Sequence, residues 1–188
     1  MRPKDSEQIV VNSDRPILFG IGSAQGDDQI GWIIADQLQE RCIDRVEIWK
    51  TSIPLDVLDR IGQSTELHIV DACEGTKPPG YLYRWDWCHI AHHPVAEALL
   101  KPTSIQDPFV TRGSGTHDFD VVSVLKLAHK LEQLPESVTI WGIQGERFSD
   151  PGPISSVVAC KLPNIVETIA KELIDARTIA GAITVDAG

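Results

Sequence analysis

The residues of this chain best suited to chemistry are acids and one histidine placed where the backbone changes direction. Asp27 and Asp28 stand side by side at the end of the glycine-rich turn GIGSAQG, after the apolar residues Ile17, Leu18 and Phe19. Asp71 closes the apolar run LHIVDA, and His117 directly precedes an amphipathic segment. Acids in a first helical turn complement the helix dipole. An acid at the carboxyl end of a strand also sits where open α/β sheets gather their reacting groups. Two carboxylates and one imidazole suit a borderline divalent ion such as zinc or nickel. Sequence spacing does not join the three; only a shared place on a sheet rim would. Taken singly, Asp28 is a helix-start acid, Asp71 a strand-end acid and His117 the neighbour of an N-cap.

Other arrangements compete with this one. Gly20, Gly22 and Gly26 have a spacing like that of a dinucleotide-binding turn. Asp27 and Asp28, however, would point negative charge at the helix start where a pyrophosphate binds. The same charges suit a cation. In WDWCHIAHH, Cys88 and His92 are four apart, as are His89 and His93; on a helix each pair would share a face. No second ligand pair with matching spacing stands elsewhere, so a loop carrying several histidines is the plainer reading. Cys73 is a nucleophile candidate with His117, although a buried free cysteine is the commoner case. No GxSxG, HExxH or Walker pattern occurs.

Holding such groups on one rim requires alternating strands and helices. Strands are expected at about 16–21, 46–49, 67–72, 81–87 and 138–143. Helices are expected at about 28–42, 118–133 and 155–175, the last bent near Pro163. A further helix is signalled in TSIPLDVLDRIG, where Ser52 can cap, Pro54 suits a first turn and Gly62 ends it. Residues 88–115 carry little pattern and read as loop with one short helix. This alternation predicts βαβ units. The fold class is therefore α/β with three layers: a twisted, mostly parallel sheet with helices on both faces. Residues 1–188 are read as one domain, with 1–15 and 178–188 expected to be flexible.

Composition narrows the partners. The chain has 188 residues, 42% of them hydrophobic and 23% charged, with a net charge of −10. Nucleic acid and anionic membranes need a basic footprint, which this balance does not supply. No run of about 18 apolar residues predicts a membrane span. The start, MRPKDSEQ, lacks the apolar core of a signal peptide. Cys42, Cys73, Cys88 and Cys160 are widely spaced with no CxxC, the pattern of a reduced cytoplasmic chain. A monomer is expected.

Taken in order, these pieces resemble a known family. A strand, a GxG turn, GDDxxG and a helix are followed by IVDA, the proline-rich GTKPPGYLYRW, SGTH before a helix, and VTIWGIQ. That series is similar to the [NiFe]-hydrogenase maturation proteases, and the resemblance runs from about Ile17 to about Ile174. It implies a phosphorylase/hydrolase-like fold and a cytoplasmic endopeptidase that removes the C-terminal extension of a hydrogenase large-subunit precursor once nickel has been inserted. It also implies that Asp28, Asp71 and His117 are the metal-contacting and catalytic residues. The nickel would be carried by the substrate, with no organic cofactor. Asp27 and Asp120 would sit behind these three. The resemblance leaves open whether the metal polarises the scissile carbonyl or an aspartate acts as general base toward water. Differences from the family are a turn one residue shorter with Ser23 in place of the common asparagine, KTSIPLD where a GGT segment is frequent, and Asp120 where glycine is common. The alternative reading is a non-cleaving, chaperone-like protein that binds a metal-loaded hydrogenase precursor. A nucleotide-binding enzyme is the third.

Overall fold

Apolar runs that can be buried on both faces become the centre of one sheet. The structure, a computed structural model, describes residues 15–42, 45–87, 120–148 and 151–183. Its strands are β1 (Ile17–Ile21), β2 (Glu47–Thr51), β3 (Glu66–Cys73), β4 (Leu82–Asp86) and β5 (Ser137–Gln144). They are ordered β2-β1-β3-β5-β4, with β4 antiparallel to β5 and the other pairs parallel. Alternation along each strand divides the core. Leu18, Val70, Trp141 and Ile143 face α1 (Ile30–Cys42), with Val166 and Ile169 of a long C-terminal helix. Ile17, Phe19, Ile69 and Ile140 face the other way, with Val57, Val121 and Leu125. β1, β3 and β5 are thus sandwiched, which is why they read as near-continuous apolar runs.

The remaining helices are α2 (Val121–Lys130), α3 (Ser156–Ala159) and α4 (Leu162–Ile183), with 3-10 turns η1 (Gly26–Gln29), η2 (Pro54–Asp59) and η3 (Ile61–Gln63). The expected α/β architecture is therefore present, with three local differences. The segment after β2 forms two 3-10 turns instead of an α-helix. There the Thr51 hydroxyl bonds the Asp56 carboxylate and accepts from Ile53 N at 2.9 Å, local bonds that compete with helical ones. The last helix is not bent at Pro163. α3 stops, and α4 begins so that Pro163 occupies its first turn, where no N–H is needed. Finally, residues 178–183 are helical where a flexible tail was expected, because a helix already nucleated extends at one hydrogen bond per residue and TIAGAI contains no proline. The expected flexible segments at 1–14 and 184–188 and the histidine loop with His89, His92 and His93 lie outside the described residues.

Buried polar groups in the sheet are satisfied. His68, fully buried, places Nε2 2.8 Å from Glu66 Oε1 and accepts at Nδ1 from Trp141 Nε1 at 3.2 Å. These partners assign the imidazole to the tautomer protonated at Nε2.

The site depends more directly on how closely α1 lies on β1. A Cβ on Gly20 would stand 2.2 Å from Gly31 O, and one on Gly31 would stand 2.0 Å from Ile21 O and 2.8 Å from Val70 O. The obstacles are backbone atoms that cannot rotate away. Helix and strand therefore touch through two glycines, and that contact sets the height of the turn between them. Gly31→Ala is expected to cost about 1–3 kcal/mol through overpacking, measured as a lower urea midpoint. A midpoint equal to wild type would show that α1 can lift from the sheet freely.

Candidate functional site

The carboxyl rim of the sheet gathers the sequence-predicted acids. β1 ends at Ile21, and Gly22 N then donates to Thr51 O at the end of β2, at 3.1 Å. Trp32 Nε1 donates to the same carbonyl at 2.9 Å. The chain next turns tightly: Asp28 N donates to Gln25 O at 2.9 Å and Ser23 N to Asp28 O at 3.2 Å. Gly26 supplies the positive φ of 46° that this turn needs. η1 follows, carrying Asp27 and Asp28, and packs against β3. Asp28 is half-buried at this point, and Asp71 is half-buried near the end of β3.

Asp71 stands in a cross-strand row with Gly142 and Tyr83. Residues in such a row share one face of the sheet. This is the face of Leu67 and Ile69, which also carries α2. Tyr83 stacks on Trp85 with ring centroids 4.9 Å apart, and a Cβ on Gly142 would meet Trp85 at 2.6 Å and Cys73 Sγ at 3.2 Å. Cys73 is thus a buried thiol packed beside an aromatic pair. Burial, with the Cys73 sulfur next to it, raises the Tyr83 phenol above its ordinary value.

His117 lies outside the described residues, so its side chain is not placed. The helix that follows it is. α2 leads into β5, which runs parallel to β3, so the start of α2 lies toward the carboxyl rim. Asp120 is its N-cap and accepts from Ser123 N at 2.6 Å. That capping bond gives Asp120 a structural task of its own at the start of α2. Among the described residues, no three His, Cys, Asp or Glu side chains are grouped so as to hold a metal. Asp28 and Asp71 supply oxygen donors of the kind a divalent ion takes.

Asp27 behaves differently from its neighbour. Its carboxylate is fully buried. Oδ2 accepts from Glu146 N at 2.7 Å, Arg147 N at 3.0 Å and the Ser155 hydroxyl at 2.9 Å, while Oδ1 accepts from Ser155 N at 2.6 Å. Burial pushes this carboxyl up, but the backbone N–H groups of Arg147, Ser155 and Glu146 and the Ser155 hydroxyl outweigh it and hold the pKa below the ordinary carboxylate value. Asp27 is therefore an ionised structural anchor and not a dipole-complementing acid on an exposed helix start. Its partners are not legible in any local sequence pattern. The only signal was QGERFSDPGP, a glycine- and proline-containing loop after a buried parallel strand, which topology must place on the same rim.

This arrangement matches known proteins. The family model described as hydrogenase maturation protease matches residues 51–172, a span that includes Asp71 and His117 and begins after the glycine turn. The chain is similar in structure to the hydrogenase maturating endopeptidase HybD from E. coli, with a TM-score of 0.65, 20% identity and coverage of 86% of this chain and 93% of that one. It is also similar to the [NiFe] hydrogenase maturation protease HycI from Thermococcus kodakarensis, with a TM-score of 0.60, 21% identity and coverage of 85% and 92%. No curated protein matches it by sequence. At these identities the structural likeness establishes the fold, while the family model spans well over half of the chain: the chain belongs to the hydrogenase maturation protease family, and its activity is proteolytic.

Proposed function

We propose that this endopeptidase removes the C-terminal extension of a [NiFe]-hydrogenase large-subunit precursor after nickel insertion, and that it reads the nickel through Asp28, Asp71 and His117. The observation that carries this reading is the packing of η1 against β3. It brings the turn bearing Asp28 to the strand that ends near Asp71, on the rim toward which the segment after His117 also starts. The nickel arrives as part of the substrate, so the chain needs no organic cofactor and no resident ion between turnovers. A carboxylate on this rim has two tasks open to it. It can hold the ion against the scissile carbonyl, or it can take the proton from an attacking water.

The net charge of −10 favours a precursor tail with basic character and disfavours nucleic acid. No helix among the described residues is long and apolar enough to cross a membrane. We read the enzyme as a cytoplasmic monomer. Co-expression of the precursor with wild-type or His117→Ala protein tests the site. The wild type is expected to shorten the large subunit, and the variant to leave it at full length. Unchanged processing by the variant would remove His117 from the mechanism. Capture of the precursor by the wild type with no change in its mass would favour the non-cleaving reading.

A further inference from the structure

We propose that Asp27 is a positioning residue for Asp28, clasping the loop after β5 and so fixing the turn that presents Asp28 at the rim. This rests on the reading of Asp28 as a nickel contact. All four bonds to the Asp27 carboxylate come from Glu146, Arg147 and Ser155, which follow β5 in the chain. The same part of the chain holds the rest of η1. Asp27 N donates to Arg147 O at 2.6 Å and Gly26 N to Gly152 O at 3.2 Å. The Gln29 amide donates to Gly152 O at 2.7 Å and to Gly26 O at 3.0 Å. Gln25 forms isolated bridges with Pro151 and Gly152.

The geometry turns this clasp into a directional constraint. Successive side chains in a 3-10 turn project about 120° apart. With Asp27 buried in the loop, the direction of Asp28 is set by the turn and not by its own rotamers alone. The Asp28 backbone is also held by the segment that precedes it: Ser23 N bonds its carbonyl at 3.2 Å, and a Cβ on Gly22 would stand 2.1 Å from the same oxygen. The turn is thus held both by Glu146, Arg147 and Ser155 and by the residues just before it. A misplacement of about 1 Å in a catalytic group can cost on the order of 10²-fold in rate, so loosening one grip should be visible in turnover.

Asp27→Asn keeps the shape of the side chain. It preserves three of the four bonds when its amide nitrogen faces Ser155 N, where a donor then meets a donor. Full-length wild type, Asp27→Asn, Asp28→Asn and the double variant are compared on nickel-loaded precursor, with circular dichroism reporting the folded fraction at the assay temperature. Asp27→Asn is expected to lower kcat by roughly 10- to 100-fold with KM within about twofold of wild type. On the Asp28→Asn background it is expected to add no more than about twofold. If Asp28→Asn cuts too slowly to follow, Asp28→Glu provides the background. A merely structural role would slow both backgrounds by the same factor and track the folded fraction. Equal factors, or an Asp27→Asn rate equal to wild type, would overturn the proposal while leaving Asp28 in place. A wild-type rate for Asp28→Asn would overturn the reading of Asp28, and the positioning role with it. A wild-type chain that leaves the loaded precursor whole overturns both.

Discussion

Asp27→Ala is expected to destabilise the protein by about 3–5 kcal/mol at neutral pH. The alanine leaves Glu146 N, Arg147 N, Ser155 N and the Ser155 hydroxyl without their acceptor. Each buried donor so orphaned costs about 1–3 kcal/mol unless water reaches it, and the cavity opens next to the sheet rim. The thermal midpoint should fall by roughly 10 °C. The effect has a defined pH dependence. The folded pKa of Asp27 lies below the ordinary carboxylate value of 3.8. The unfolded chain therefore binds its proton first as the solution is acidified, and the stabilisation is complete above that value. It declines as pH falls through 3.8 toward the folded pKa and is absent below both. The gap in urea midpoint between wild type and Asp27→Asn should thus be constant from neutral pH down to about pH 5 and narrow below pH 4. A gap that widened on acidification would mean that Asp27 is not ionised in the folded protein.

Asp71→Asn is expected to slow precursor cleavage by roughly 10²- to 10⁴-fold. The substitution keeps size and shape at a half-buried position and removes the charge. A neutral amide is a poor ligand for a divalent ion and cannot accept a proton from water. Both routes to cleavage therefore suffer, and the prediction holds whichever one operates. Single-turnover cleavage of loaded precursor, followed by intact mass, measures the effect. A rate within threefold of wild type would leave Asp71 outside the reaction.

The sheet was legible because its central strands are buried on both faces. LHIVDA and VTIWGI are continuous apolar runs, and they became β3 and β5 with one residue added at each end or nearly so. The strand order was not legible, since pairing depends on contacts far apart in sequence. Nor was the antiparallel edge strand β4, whose alternating aromatics fit either direction. Asp28 and Asp71 could be placed on the rim from topology alone, because the parallel arrangement puts every strand's carboxyl end on one side. The role of Gly31, the last residue of GDDxxG, was not legible for the opposite reason: it sits inside a helix, and only the contact with β1 shows that nothing larger fits. Asp27 and Asp28 look alike in the sequence. The loop that separates their roles binds from 119 to 128 positions away, beyond the reach of any local pattern.

The fate of a purified precursor tests nickel-dependent proteolysis most directly. Nickel-loaded and nickel-free forms of a hydrogenase large-subunit precursor are each incubated with the purified protein, and their intact masses are followed with time. The loaded form is expected to lose its C-terminal extension while the nickel-free form stays whole, and Asp71→Asn should leave both unchanged. Equal cutting of the two forms, or binding of the loaded form with no loss of mass, would contradict nickel-dependent proteolysis at this rim.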